Sequence, residues 1–196
     1  LAAQSDIRLT SARYFRQLAK GNAQDFLPVG AGGDYADLRD WRRAEGLPAQ
    51  PDVAIISASL DIPQAALDKV QDRRVLVLTT ARAETARIVA LEMLGIKVII
   101  AGERRVEGEL LKRALVADAY RSAYMIAGPA LHATLVQAAV LDYLFLTTRH
   151  MLLGGDDFSS IMQGNLAQPG ELALESLFFD AAGQQSFASY RFLGPG

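Results

Sequence analysis

Four short stretches combine small residues, hydroxyls and cations in a way that suits a phosphate-bearing ligand. They are Thr79-Thr80-Ala81-Arg82, Gly102-Glu103-Arg104-Arg105, Gly128-Pro129-Ala130 and Leu153-Gly154-Gly155-Asp156. Glycines at 102 and 128 let a diphosphate approach the backbone, Thr79 and Thr80 offer hydroxyl donors, and Arg82 and Arg104 supply positive charge. Several phosphates suit this set better than one. Each residue also has a plain structural reading: a glycine after a strand makes a turn, and a threonine before a helix caps it. Arg82 stands out because, in the first turn of a helix that opens at Ala81, it opposes the helix macrodipole. Neither a G-x-G-x-x-G fingerprint nor a Walker loop occurs.

Other chemistries are narrowed by composition. The 196 residues contain no cysteine and two histidines, which removes thiolate metal sites, disulfides and cysteine nucleophiles. His132 falls off the apolar stripe of its helix and reads as a surface or boundary residue, while His150 follows a strand end. Asp156-Asp157 reads as part of a solvated loop, and Trp41 with Arg42-Arg43 as a partner surface or a cover for one sheet edge. A net charge of −2 gives no basic face for nucleic acid. No apolar run approaches the 18 or so residues of a membrane span. The expectation is a soluble, cytoplasmic protein that works through oxygen ligands, backbone groups or a bound organic cofactor.

The elements that must position these stretches alternate between two periods. Val53–Ser57, Leu76–Thr79, Lys97–Ala101 and Ser122–Ala127 are short runs apolar on both faces, as in covered parallel strands. Between them lie helical stripes over Ala81–Leu94, Val106–Val116 and Pro129–Ala139, with Thr80 a candidate N-cap and Gly95 a stop for the first. Tyr143–Thr148, Leu172–Asp180 and Gln185–Phe192 follow as strands, the last two joined by a short Gly-containing loop and therefore antiparallel. The predicted fold is α/β: a mixed sheet, parallel at its centre, with an antiparallel C-terminal hairpin and helices on both faces. Lys20–Pro51 and Met162–Glu171 read as irregular, the former with a helical turn or two around Tyr35–Arg43. One domain is expected over residues 1–196. The chain opens on Leu1-Ala2-Ala3-Gln4-Ser5-Asp6, without methionine, in what reads as the middle of a folded unit, so further residues are expected upstream.

The order of these pieces resembles a known family. Leu76–Thr80, Gly95-Ile96, Ile99–Gly102, Leu110-Leu111, Ile126-Ala127-Gly128-Pro129, Leu135-Val136, Leu141-Asp142 and Met151–Gly155 follow the pattern of the reductase domain of bacterial riboflavin biosynthesis. That is the RibD C-terminal type, similar in fold to dihydrofolate reductase. The resemblance implies an NADPH-dependent, homodimeric reductase of a small heterocycle, 5-amino-6-(5-phosphoribosylamino)uracil in the family. It places Thr79, Thr80, Arg82 and Gly102 at the adenosine end of the cofactor. Ala127, Gly128, Pro129, Ala130 and Leu131 fall under its diphosphate, and Gly154 and Gly155 in a later loop. Three departures stand against it. The family's Glu-Gly-Gly reads Ile126-Ala127-Gly128, and its small glycine- and threonine-rich turn reads Thr10-Ser11-Ala12-Arg13-Tyr14. The family's first strand, with its Ser-Leu-Asp-Gly loop, belongs before Leu1. Ser59-Leu60-Asp61 imitates that loop but is followed by Ile62-Pro63, and is assigned instead to a later strand end. A reductase of another pterin or heterocycle, and a catalytically silent dimeric nucleotide-binding module, are the alternatives.

Overall fold

The computed structural model describes residues 1–23, 29–30, 33–154, 156, 160–166 and 168–194, with Asp34 described in its backbone only. It falls into two compact units, Leu1–Gly128 and Pro129–Gly196.

In the first unit, five strands form one parallel sheet: β1 (Ile7–Ser11), β2 (Asp52–Ile56), β3 (Val75–Thr79), β4 (Lys97–Ile100) and β5 (Ala123–Met125). Their order is β4-β3-β2-β1-β5. Val53, Ala54, Ile55, Leu76, Val77 and Leu78 are wholly buried, as strands covered on both faces require. The connections α1 (Ala12–Ala19), α3 (Gln64–Leu67) and α4 (Thr85–Met93) step in one direction across the sheet. Then α5 (Gly108–Ala117) carries the chain back to β5 on the far side of β1. Right-handed crossovers place the first three helices on one face and α5 on the other. The main core agrees: Phe15, Leu18, Ala66, Leu67 and Leu91 pack with Val53, Ile55 and Val77. Parallel register puts Arg8 and Thr10 on that same face, opposite Val53 and Ile55.

Helix ends show where local sequence rules hold. Gly95 at φ +76 closes α4, with Gly95 N–H bonded to the Glu92 carbonyl and Ile96 N–H to that of Leu91, a paired closure that favours glycine. The predicted start of that helix is displaced. The N-cap position belongs to Glu84, and Thr80 caps nothing, because Ala81 N–H bonds the Gly102 carbonyl and holds the exit of β3 to that of β4. The helical turns expected at Tyr35–Arg43 are α2 (Ala36–Ala44). Arg42 within it is completely buried and donates to carbonyls of this chain, so it is not a partner surface.

Polar side chains lock the amino-terminal edge of this sheet. The Tyr120 hydroxyl donates to Asp52 at 2.7 Å, and burial together with that carboxylate holds its ionisation well above the usual phenol range. Asp118, at the C-cap of α5 where a negative charge is disfavoured, accepts from Arg74 at 2.9 Å and from Lys97. The Lys97 hydrogen bond, with help from Arg74, holds the Asp118 carboxyl below its ordinary 3.8. A lowered folded-state pKa means stability that is complete above 3.8 and lost as pH falls through the folded value. Asp118→Asn is therefore expected to destabilise the protein at pH 7. The loss is at most about 1 kcal/mol, since both cations are half exposed. The difference from wild type should vanish in urea melts taken well below the ordinary carboxylate pKa.

The second unit opens with α6 (Pro129–Gln137), its proline at the favoured first position. Three antiparallel strands follow, β6 (Tyr143–Arg149), β7 (Leu172–Asp180) and β8 (Gln185–Phe192), paired in the order β6-β8-β7 with a bulge between Leu174 and Ser176. The expected hairpin is β7–β8, turned at residues 181–184. There Asp180 accepts from Gly183 N–H at 2.9 Å, and this bond, followed by one from Gln185, keeps its carboxyl below the usual range. The antiparallel strands pair as a sheet of their own. His132 is buried rather than at the surface: its Nδ1 bonds the Ile161 carbonyl at 2.8 Å, and its Nε2 has no partner among the described residues.

Candidate functional site

Because β1–β5 are parallel, their carboxyl ends share one edge, where open α/β sheets bind ligands. Four of the predicted residues meet there. Thr79 O accepts from Ala101 N–H at 2.8 Å, and Gly102 O from Ala81 N–H at 2.9 Å, so the Thr79-Thr80-Ala81-Arg82 and Ala101-Gly102 stretches run side by side. The side chains of Thr79 and Thr80 are buried, and Thr79 Oγ1 has no hydrogen-bond partner among the described residues. Arg82 is exposed and pairs with Glu103 at 3.4 Å, a solvent-exposed pair that holds it only weakly. It lies ahead of the α4 N-cap, so the macrodipole objection does not apply to it. That objection belongs to Arg13, in the first turn of α1, which Ser11 caps by accepting from Tyr14 N–H at 3.4 Å.

The glycines differ in kind. Gly102 has φ +150, and a Cβ there would lie 2.0 Å from the Arg105 carbonyl oxygen, so the turn itself demands glycine. At Gly128 a Cβ would meet nothing within 4 Å and the backbone is not left-handed. Its smallness has no packing reason and leaves the backbone open. Ala127 and Gly128 follow β5, whose end is tied to β1 by Ile126 N–H donating to Leu9 O at 2.8 Å. From β3 to β5 the edge spans three strand spacings, roughly 14 Å. The strand order reverses between β1 and β5, where a crevice opens in folds of this kind. Exposed arginines at this edge are Arg13, Arg82, Arg104 and Arg105. Arg13 has no motif to announce it, and only the position of α1 directly after β1 brings it to the edge.

The Ser59-Leu60-Asp61 stretch follows β2, as expected, and is tied down. Arg87 donates to Ser59 O at 3.2 Å, Arg16 to Asp61 O at 2.9 Å, and Leu60 N–H to Ser57 Oγ at 2.9 Å. In the second unit Pro129, Ala130 and Leu131 form the first turn of α6, with Leu131 buried, and Gly154 lies in an exposed stretch. Gly155 and Asp157 lie outside the described residues. His150 is exposed and stacks on Phe179 at 5.3 Å. No group of three or more histidines, aspartates or glutamates fit to hold a metal occurs among the described residues, and none of the described helices is long and apolar enough to cross a membrane.

The fold is thus a mixed α/β class with an open parallel sheet and a separate antiparallel hairpin sheet. The chain belongs to the RibD C-terminal domain family, whose model matches residues 11–184. It is similar in structure to a pyrimidine reductase-like protein from Corynebacterium diphtheriae, with TM-score 0.71 and 18% identity over 99% of this chain and 78% of that one. Acinetobacter baumannii RibD gives TM-score 0.65 and 17% identity over 98% of this chain and 48% of that one. A diaminohydroxyphosphoribosylaminopyrimidine deaminase/5-amino-6-(5-phosphoribosylamino)uracil reductase from Thermotoga maritima gives 0.63 and 12%, over 98% and 46%. The chain therefore spans about half the length of the latter two. At such identities these likenesses speak for the fold alone. No curated protein matches the chain.

Proposed function

We propose that this chain is an NADPH-dependent reductase domain acting on a small heterocycle, of the kind named in the Thermotoga maritima relative. The observation that carries the reading is the carboxyl edge of the parallel sheet. Exposed Arg82, Arg104 and Arg105 stand beside the paired Thr79-Thr80 and Ala101-Gly102 stretches, with Arg13 and the open backbone of Gly128 farther along. These groups fit a long ligand with several phosphates better than a single anion, because they are spread across four strands. Arg82 would meet the 2′-phosphate at the adenosine end. The resemblance puts Gly102 at that same end and Ala127 and Gly128 under the diphosphate, where their backbone N–H groups would serve. When bound, the nicotinamide supplies a hydride; the protein's part is to orient it and exclude water. The exposed Leu174, Leu177, Phe178 and Phe179 of the hairpin sheet support the homodimer that the resemblance implies.

Calorimetric titration tests this. NADPH should bind in preference to NADH, and Arg82→Ala should weaken NADPH about tenfold, or 1.4 kcal/mol, while leaving NADH unchanged. Binding of neither nucleotide would reject the reductase reading. A second reading rests on Ile126, 41% exposed where the family carries an acid. On that reading the nucleotide binds, but no aminopyrimidine substrate oxidises it.

A further inference from the structure

Helix α4 is apolar on its outer side as well as its inner one. Ile88 and Leu91 pack on the core. On the opposite side Ala86, Val89, Ala90 and Met93 keep the i, i+3, i+4, i+7 spacing of a covered helix face, and all four are exposed. Val89 is 47% exposed and Met93 83%, and Leu94 at the C-cap is exposed beside them. We propose that this outer stripe is a contact between two copies of the chain, α4 packing antiparallel on α4 about a twofold axis between Val89 and Ala90.

Three observations carry the assignment. First, the face is unusual for a surface helix. A helix apolar all round belongs in an interior, yet α4 joins β3 to the edge strand β4 and so ends its layer. By contrast, α5 turns Glu109, Lys112 and Arg113 outward. Second, the stripe fits itself. Seven residues make nearly two turns, so Ala86 and Met93 lie in one line along the helix, with Val89 on one side of it and Ala90 on the other. In an antiparallel twofold pair each flank meets the same flank of its partner. Met93 then lies level with the partner's Ala86, a long side chain over a short one, and Ala90 meets the partner's Ala90. Alanines at the crossing let the axes approach to about 8 Å. Each helix N-terminus also falls beside the other's C-terminus, which the macrodipoles favour. Leu94 comes beside the partner's Arg87, whose stem covers it. Third, charge points to no other partner. Between Thr85 and Met93 the charged residues are Arg87, tied to Glu84 at 2.9 Å and to Ser59 O, and Glu92, one on each flank. The helix therefore lacks the cationic face that an anionic membrane or a nucleic acid requires. Two helices of 9 residues bury less than the roughly 1,200 Å² of a lasting interface, so the contact is weak, with a dissociation constant on the order of 100 μM. It uses no residue of the hairpin sheet and needs no nucleotide.

The chain has no cysteine, so single introduced thiols report on this contact alone. Ala90→Cys, oxidised as the full chain at about 100 μM, should give a disulfide-linked dimer at least tenfold faster than Lys112→Cys on the exposed side of α5. Ala86→Cys and Met93→Cys should each link slowly alone and quickly when mixed, because the register pairs Ala86 with Met93. Light scattering on the wild type should show a mass that rises with concentration. Met93→Lys, a change at an exposed side chain that leaves the circular dichroism intact, should remove that rise. Linking of Ala90→Cys no faster than that of Lys112→Cys overturns the proposal, and so does equal linking of Ala86→Cys alone and in the mixture. A rise in mass that Met93→Lys leaves unchanged belongs to another surface and overturns it. No rise up to about 1 mM leaves the stripe to a different partner and overturns it as well.

Discussion

Gly102→Ala should lower the unfolding free energy by about 3 kcal/mol in urea titrations, and should abolish nucleotide binding with it. At φ +150 the residue sits in a region that side chains with a Cβ rarely enter. The added carbon would also fall 2.0 Å from the Arg105 carbonyl oxygen, a backbone atom with nowhere to go. That carbonyl is fixed by the return of the chain, since Glu107 N–H bonds the Ala101 carbonyl at 2.8 Å and Val106 is buried. Relief would have to break the Ala81 N–H bond to Gly102 O, which joins the exits of β3 and β4. The strain thus falls on both stretches assigned to the adenosine end. Gly128→Ala is the control: its Cβ meets open space, so stability should stay within about 0.5 kcal/mol of wild type. A Gly102 variant as stable as wild type would mean that the turn after β4 is not the one described.

Arg42→Met should cost about 3 kcal/mol, read by the same titration. The guanidinium donates to Pro48 O at 2.7 Å, Ala3 O at 2.7 Å and Ser5 O at 2.8 Å, tying α2 to the chain that leads into β1. Methionine fills much of the volume but leaves those carbonyls without a donor, at roughly 1–3 kcal/mol for each buried group left unmade. Two terms reduce the sum. Burial already disfavours the charged guanidinium, and its Nη2 has no partner among the described residues. Arg42→Lys should recover little, because one ammonium cannot reach the three carbonyls that the planar fork spans. Arg43→Met is the contrast, since its pairing with Asp40 is exposed on both sides and a change of a few tenths of a kcal/mol is expected.

These two arginines, adjacent in sequence, show where local reading stops. Both lie in a polar, glycine-rich stretch, and nothing in the side chains beside them separates the wholly buried one from the exposed one. The partners of Arg42 at Ala3 and Ser5 are 39 and 37 residues away, and only the folding of α2 back onto the chain ahead of β1 brings them together. The start of α4 is a second case. Thr80 has the chemistry of a cap, but hydrogen bonds tie Thr79 and Ala81 to the neighbouring strand's exit, Ala83 N–H closes a turn on Thr80 O, and the helix begins at Thr85. His132 is a third: off the apolar stripe, it reads as a surface or boundary residue, and the Ile161 carbonyl, 29 residues on, holds it inside.

What the sequence determined by itself was the kind of protein. Runs apolar on both faces, such as Val53–Ile56 and Leu76–Leu78, are typical of parallel strands covered by helices. The Gly-containing loop at 181–184 made the last two strands a hairpin, and the order of these pieces already resembled the family to which the chain belongs. Only the tertiary structure decided the strand order β4-β3-β2-β1-β5, with Ile7–Ser11 near its middle, and the separate pairing of β6–β8. It alone brought Arg13 to the ligand edge and buried Arg42 against the carbonyls of Ala3 and Ser5. The physical reason is range. Apolar periodicity and turn chemistry act over a few residues, whereas burial of a charge depends on carbonyls and charges that only the finished fold brings near.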